Sequence, residues 1–268
     1  FVITLKIRSL MEKKILYLLT CVGLCWSSCT NEVDEFIGNV EPSTRSVSTA
    51  LNANLASLFT GGAPTLTSAE IKEVNDAYAK MTSINCYRNI DEAVRNKTSY
   101  AGTIFLDDTY ASAYFRKGSL AFPPYGILAS SMEHEFIHMY QRDVQGKKVD
   151  TDKEKRDTGM MEFELAFYQG IIRYIHAGYS WTFKGEDGDP SYQSLWTSGL
   201  TDPSLIPQYE REFQTYVASI CANGKPTSID INEFVKWSNI FGEYSRGYSG
   251  KGYKFGNYDY GTSCINSL

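Results

Sequence analysis

The sequence predicts an α+β fold, mostly helical, in a single domain with a small antiparallel strand region just ahead of a central helix. Three observations predict it. From Ile71 onward, apolar residues recur over long stretches at the three- and four-residue spacing of an amphipathic helix. Between residues 103 and 124 the apolar runs are instead short and are cut by Asp, Gly and Pro. The composition, 43% hydrophobic and 21% charged over 268 residues, is that of a folded chain long enough for one sizeable core or two small ones.

In chain order, Thr67-Ser68-Ala69-Glu70 is a capping box, and Ile71, Val74, Ala77, Tyr78 and Met81 continue it as a helix. A second helical stretch covers Ile90 to Arg95. Thr103 to Leu106 reads as a strand ended by Asp107-Asp108. Ala113 to Phe115 and Ser119 to Phe122 flank Lys117-Gly118 and read as a hairpin, which Pro123-Pro124 terminates. Helices follow over Ile127 to Arg142, Gly159 to Ala177, Leu205 to Ala222 and Asn232 to Tyr244, with Asp202-Pro203 and Asp230 as start signals for the last two. In the first of these, Leu128, Met132, Phe136 and Met139 are the candidate core anchors. From Gly242 to Gly261, glycine and tyrosine alternate. That segment reads as a loop packing its tyrosines on the domain, or as one wall of a substrate cleft.

The N-terminus reads as a targeting segment. From Met11 the chain runs Met11-Glu12-Lys13-Lys14, then an apolar stretch Ile15 to Leu24, then Trp26-Ser27-Ser28-Cys29. A basic start, roughly 10 apolar residues and small residues before a cleavage point describe a secretory signal over residues 1–28, because a spanning helix needs about 20. Residues 1–10 precede a natural-looking start at Met11 and suggest an overextended beginning. Ser27-Ser28-Cys29 resembles a bacterial lipobox, although Trp26 departs from that pattern. It implies lipidation of Cys29 and anchorage at the membrane of the cell envelope, facing the periplasm or the exterior. Residues 29–65 are rich in Asn, Ser, Thr, Ala and Gly and are expected to form a flexible tether, leaving residues 66–268 as the domain. Leu51, Leu55, Leu58 and Phe59 soften that boundary, since they suit a short helix docking on the domain.

Charge and cysteines narrow the function. The formal charge of −5 is spread along the chain, and the lysines and arginines are interleaved with acids, so nucleic acid is not an expected partner. Of the six cysteines, Cys21 and Cys25 fall in the signal and Cys29 at the lipobox, which leaves Cys86, Cys221 and Cys264. An odd set allows at most one disulfide, and none has zinc-ligand spacing.

The chemistry lies in His134-Glu135-Phe136-Ile137-His138. Two histidines four residues apart on a helix project from one face and meet on a single metal ion, while Glu135 adjoins that face without having to be a ligand. Neutral imidazoles hold Zn²⁺ and leave a position for water, whose pKa falls towards about 7, and a neighbouring carboxylate serves as general base. A catalytic site needs a third protein ligand. His176 is the only other histidine, but on one helix it lies roughly 21 Å from Glu162, so it has no expected metal role. The better candidate lies in Met161-Glu162-Phe163-Glu164-Leu165-Ala166.

This H-E-x-x-H segment with E-x-E on the next helix resembles the gluzincin class of zinc metallopeptidases, in which a glutamate on a following helix completes the site. The resemblance implies a zincin-like domain, one catalytic zinc ion, Glu162 as third ligand and a peptide or protein substrate. Leu165-Ala166 departs from the class pattern, so Glu164 stays as the alternative ligand. Residues two apart on a helix point about 200° apart, so only one of the two glutamates can face the metal. The resemblance also implies a strand along the cleft that binds an extended peptide, a role Tyr114 to Phe122 could fill. The expected activity is zinc-dependent peptide hydrolysis with Glu135 as general base. The rival expectations are a non-catalytic surface lipoprotein binding peptides or glycans, and a zinc hydrolase of non-peptide amides.

Overall fold

A computed structural model describes residues 50–147, 155–176, 202–224 and 228–245, together with Gly178 and Pro226. The signal, Cys29, most of the tether, and the glycine- and tyrosine-rich segment beyond residue 245 lie outside the described residues. Seven helices are described: α1 (Ala53–Leu58), α2 (Ser68–Ser83), α3 (Asn85–Lys97), α4 (Ala129–Met139), α5 (Lys155–His176), α6 (Ile206–Ile220) and α7 (Ile231–Tyr244). A three-stranded sheet, β1 (Ile104–Leu106), β2 (Tyr114–Arg116) and β3 (Ser119–Phe122), precedes α4. The architecture is α+β and mostly helical. No helix among the described residues is long and apolar enough to cross a membrane.

The helix starts follow their local chemistry. Thr67 caps α2 as a complete capping box: the Glu70 N–H donates to Thr67 Oγ1 at 3.3 Å and the Thr67 N–H donates to Glu70 Oε2 at 2.6 Å. Asp230 caps α7 by accepting from the N–H groups of Asn232 and Glu233. Before α6, Asp202 accepts from the Ser204 N–H and the chain makes a 3₁₀ turn, Pro203–Leu205, so the helix proper begins a few residues after its start signal.

The strand region corrects one expectation. It is not purely antiparallel but mixed, in the order β1-β3-β2, with β1 parallel to β3 and β2 antiparallel to it. The hairpin itself forms as expected. Lys117 (φ 51°) and Gly118 (φ 78°) both take the left-handed conformation of a two-residue turn whose twist matches its strands. The turn then folds back on the entry to β1. A Cβ on Gly102 would lie 2.2 Å from the Gly118 carbonyl oxygen, so only glycine admits this approach, which seats β3 beside β1.

One core runs through the described residues, and its composition explains the helix order. Helix α5 buries residues nearly all round, among them Met160, Phe163, Leu165, Phe167, Ile171 and Ile172, as a central helix must. Phe163 and Phe167 pack on Phe234 of α7, and Phe167 also on Phe213 of α6. On its other side α5 packs against α4, which lies against α2 and α3. Met132, Phe136 and Met139 of α4 are fully buried as expected, but Leu128 is 42% exposed. The helix begins at Ala129, one residue later, so Leu128 sits off its apolar face. Leu55 and Leu58 of α1 and the adjacent Phe59 are fully buried as well, so packed structure begins within the segment assigned to the tether.

Candidate metal centre

Helix α4 presents His134 and His138 one turn apart, with their Nε2 atoms 3.2 Å from each other. Helix α5 brings Glu162 against them. Its Oε1 lies 3.2 Å from His138 Nε2 and its Oε2 lies 3.8 Å from His134 Nε2. Their side chains remain 24%, 16% and 21% exposed for His134, His138 and Glu162, so the cluster opens to solvent. Ligands about 2.1 Å from a tetrahedral zinc stand about 3.4 Å apart. The three separations of 3.2, 3.2 and 3.8 Å bracket that value. Among the described residues, these three form a group that could hold a metal ion.

The electrostatics follow from two imidazoles and two carboxylates sharing one partly buried cluster. Burial pushes the His134 imidazole below its ordinary value, and the nearby His138 adds to the effect. Burial acts downward on His138 too, but the Glu162 carboxylate, Glu135 and the hydrogen bond to Gln141 outweigh it and hold His138 above its ordinary value. Facing imidazoles cannot both charge, so the metal-free cluster stays balanced only with one ring protonated between carboxylates.

Glu135 is buried beside the cluster. Burial pushes its carboxyl up to about 8, the positive His138 works against that rise, Glu162 adds to it, and a hydrogen bond from the Phe115 backbone N–H lowers it again. That last contact follows from strand register. In a two-residue hairpin the closing pair Arg116 and Ser119 exchange hydrogen bonds, so the main-chain groups of Phe115, one pair further on, face away from β3. Arg142 steadies the same strand, its guanidinium lying 4.3 Å from the centroid of the Phe115 ring. It also pairs with Asp143, which accepts the Tyr100 hydroxyl.

No family model, curated protein or solved structure matches the chain.

Of the two candidate glutamates, the structure brings Glu162 to the histidines and turns Glu164 away, as their 200° separation requires. Glu164 is fully buried and accepts from Gln141 Nε2 at 2.8 Å and from Lys147. His176 is exposed in the last turn of the same unbroken helix, far from the cluster. Cys86 and Cys221 are buried thiols, and burial pushes Cys221 up to about 11. Neither joins the group. Cys29 and Cys264 lie outside the described residues.

Two parts of the neighbourhood escaped the sequence. Gln141 lies three residues after His138, and the ring Nδ1 is 2.9 Å from its Oε1. That i,i+3 spacing on the motif helix was the available signal. The Phe115 N–H left no signal, because a main-chain group carries no residue type.

Proposed function

We propose that the chain is a zinc-dependent hydrolase of peptide bonds with a zincin-like catalytic domain, held outside the cytoplasm by lipid on Cys29. The observation that carries this reading is the convergence of His134 Nε2, His138 Nε2 and the Glu162 carboxylate beside the buried Glu135. Two imidazoles and one carboxylate suit zinc, whereas Mg²⁺ and Ca²⁺ favour oxygen-only sites. Three protein donors also leave a tetrahedral ion one position for exchangeable ligands.

One zinc ion bound by His134, His138 and Glu162 supplies Lewis acidity, which polarises a carbonyl and acidifies water. The rest falls to the chain. Glu135 accepts the proton of the attacking water as its oxygen bonds to the carbonyl carbon. It then delivers that proton to the leaving amine as the C–N bond breaks. Burial raises the Glu135 carboxyl, and a cation bound beside it would lower it again and keep Glu135 ionised to accept a proton. The peptide part of the proposal draws on β2. It is an edge strand of its sheet and adjoins Glu135 through Phe115, so an extended substrate laid along it would run past the base.

Glu135→Gln tests the reading. It should keep stoichiometric zinc by elemental analysis while cutting chelator-sensitive cleavage of a peptide library by roughly 10²- to 10⁴-fold. Retention of full activity in that variant sinks Glu135 as base. A wild-type chain that carries zinc but cleaves only non-peptide amides sinks the substrate class.

A further inference from the structure

We propose that Gln141 is the positioning residue that fixes which ring nitrogen of His138 faces the metal, and that Glu164 and Lys147 fix Gln141 in turn. The inference rests on the metal-site reading above and goes beyond it, because none of these three residues is a ligand.

The hydrogen bonds determine the orientation of the amide. Gln141 Nε2 lies 2.9 Å from the Met161 carbonyl oxygen and 2.8 Å from Glu164 Oε2. Both are acceptors only, so the NH₂ end must face them, and reversing the amide would set its oxygen against two oxygens. Gln141 Oε1 therefore points at His138 Nδ1, 2.9 Å away, and can only accept. Nδ1 then carries the proton and donates it. With a cation bound, Nε2 would keep its lone pair for the side of the ring that faces His134 and Glu162.

Glu164 holds this arrangement in place. It is fully buried, and the same oxygen that accepts from Gln141 also pairs with Lys147. The backbone brings Lys147 there through an unusual turn. After α4 the helix widens into a π turn, Tyr140–Val144, and the Lys147 N–H returns to the Gln141 carbonyl at 3.0 Å. Single π turns of this kind recur at functional sites, because they re-aim side chains that a regular helix would point elsewhere. The second glutamate of E-x-E thus holds Gln141 against His138 from behind, while the first reaches the histidine nitrogens themselves. Outer partners of a metal-bound histidine typically contribute 10- to 100-fold in metal affinity.

The test is a double-mutant cycle on the full chain, reading zinc affinity by competition with a chromophoric chelator, and the visible spectrum of the cobalt-substituted protein. Gln141→Leu should lower zinc affinity by roughly 10- to 100-fold and shift the cobalt spectrum. Glu164→Gln should lower affinity by less, and should have no further effect in the Gln141→Leu background, since it acts only through the amide. Melting of the metal-free variants separates this from general destabilisation. Histidine ¹⁵N NMR of the zinc-loaded wild type provides a check independent of any variant. His138 should show a protonated Nδ1 and a metal-bound Nε2. Unchanged affinity in Gln141→Leu, additive effects of the two substitutions, or zinc on Nδ1 each overturn the positioning role while leaving the metal site standing. A wild-type chain that takes up no zinc overturns both.

Discussion

Glu162 and Glu164 are two residues apart on one helix and have opposite surroundings. Glu162 reaches the imidazole nitrogens at 3.2 and 3.8 Å and stays partly exposed, while Glu164 is buried against Lys147 and Gln141. Glu162→Ala removes one of three donors, and zinc affinity should fall by more than the roughly 100-fold that marks the upper range for an outer partner. Glu164→Ala should stay within that range. Competition titration decides between them, and the reverse ranking would move the ligand to Glu164. The helical periodicity of 3.6 was enough to say that only one glutamate could serve. Which one was not legible, because it depends on how α5 is rotated against α4, and that rotation is set by packing on both flanks of α5.

At the scale of single elements, local rules carried most of the information. The capping box at Thr67 starts α2 where the sequence placed it, because its partners lie three residues apart and need nothing distant. Thr67→Ala should cost about 1 kcal/mol, seen as a lower urea midpoint. Accepting hydrogen bonds from Thr67 depresses the Glu70 carboxyl. Its contribution is therefore complete above the unfolded value and is lost as pH falls through the lowered folded one, so the loss caused by Thr67→Ala should shrink at acid pH. The hairpin at Lys117-Gly118 was legible for the same local reason, a turn needing two residues of positive φ. The parallel partnership of β1 and β3 was not. It depends on the close approach of Gly118 to Gly102, across 16 residues of chain, and strand spacing alone does not encode it.

For the molecule as a whole, the packed structure extends to both sides of the motif helix and back to α1. Leu58 is fully buried in a segment whose polar composition reads as a tether. Leu58→Ala should therefore cost roughly 2–5 kcal/mol in chemical unfolding, as for a core leucine, and a loss within 0.5 kcal/mol would return α1 to the tether. Periodicity within single elements was enough for the α+β, mostly helical class, for the approximate positions of α2 to α7 and for the pairing of His134 with His138. That Glu162 joins them, that Glu164 stands behind them through Gln141 and that the Phe115 N–H touches Glu135 follow from the packed fold alone. Those contacts join separate elements, and their geometry comes from side-chain packing in a shared core, which no single stretch of chain contains.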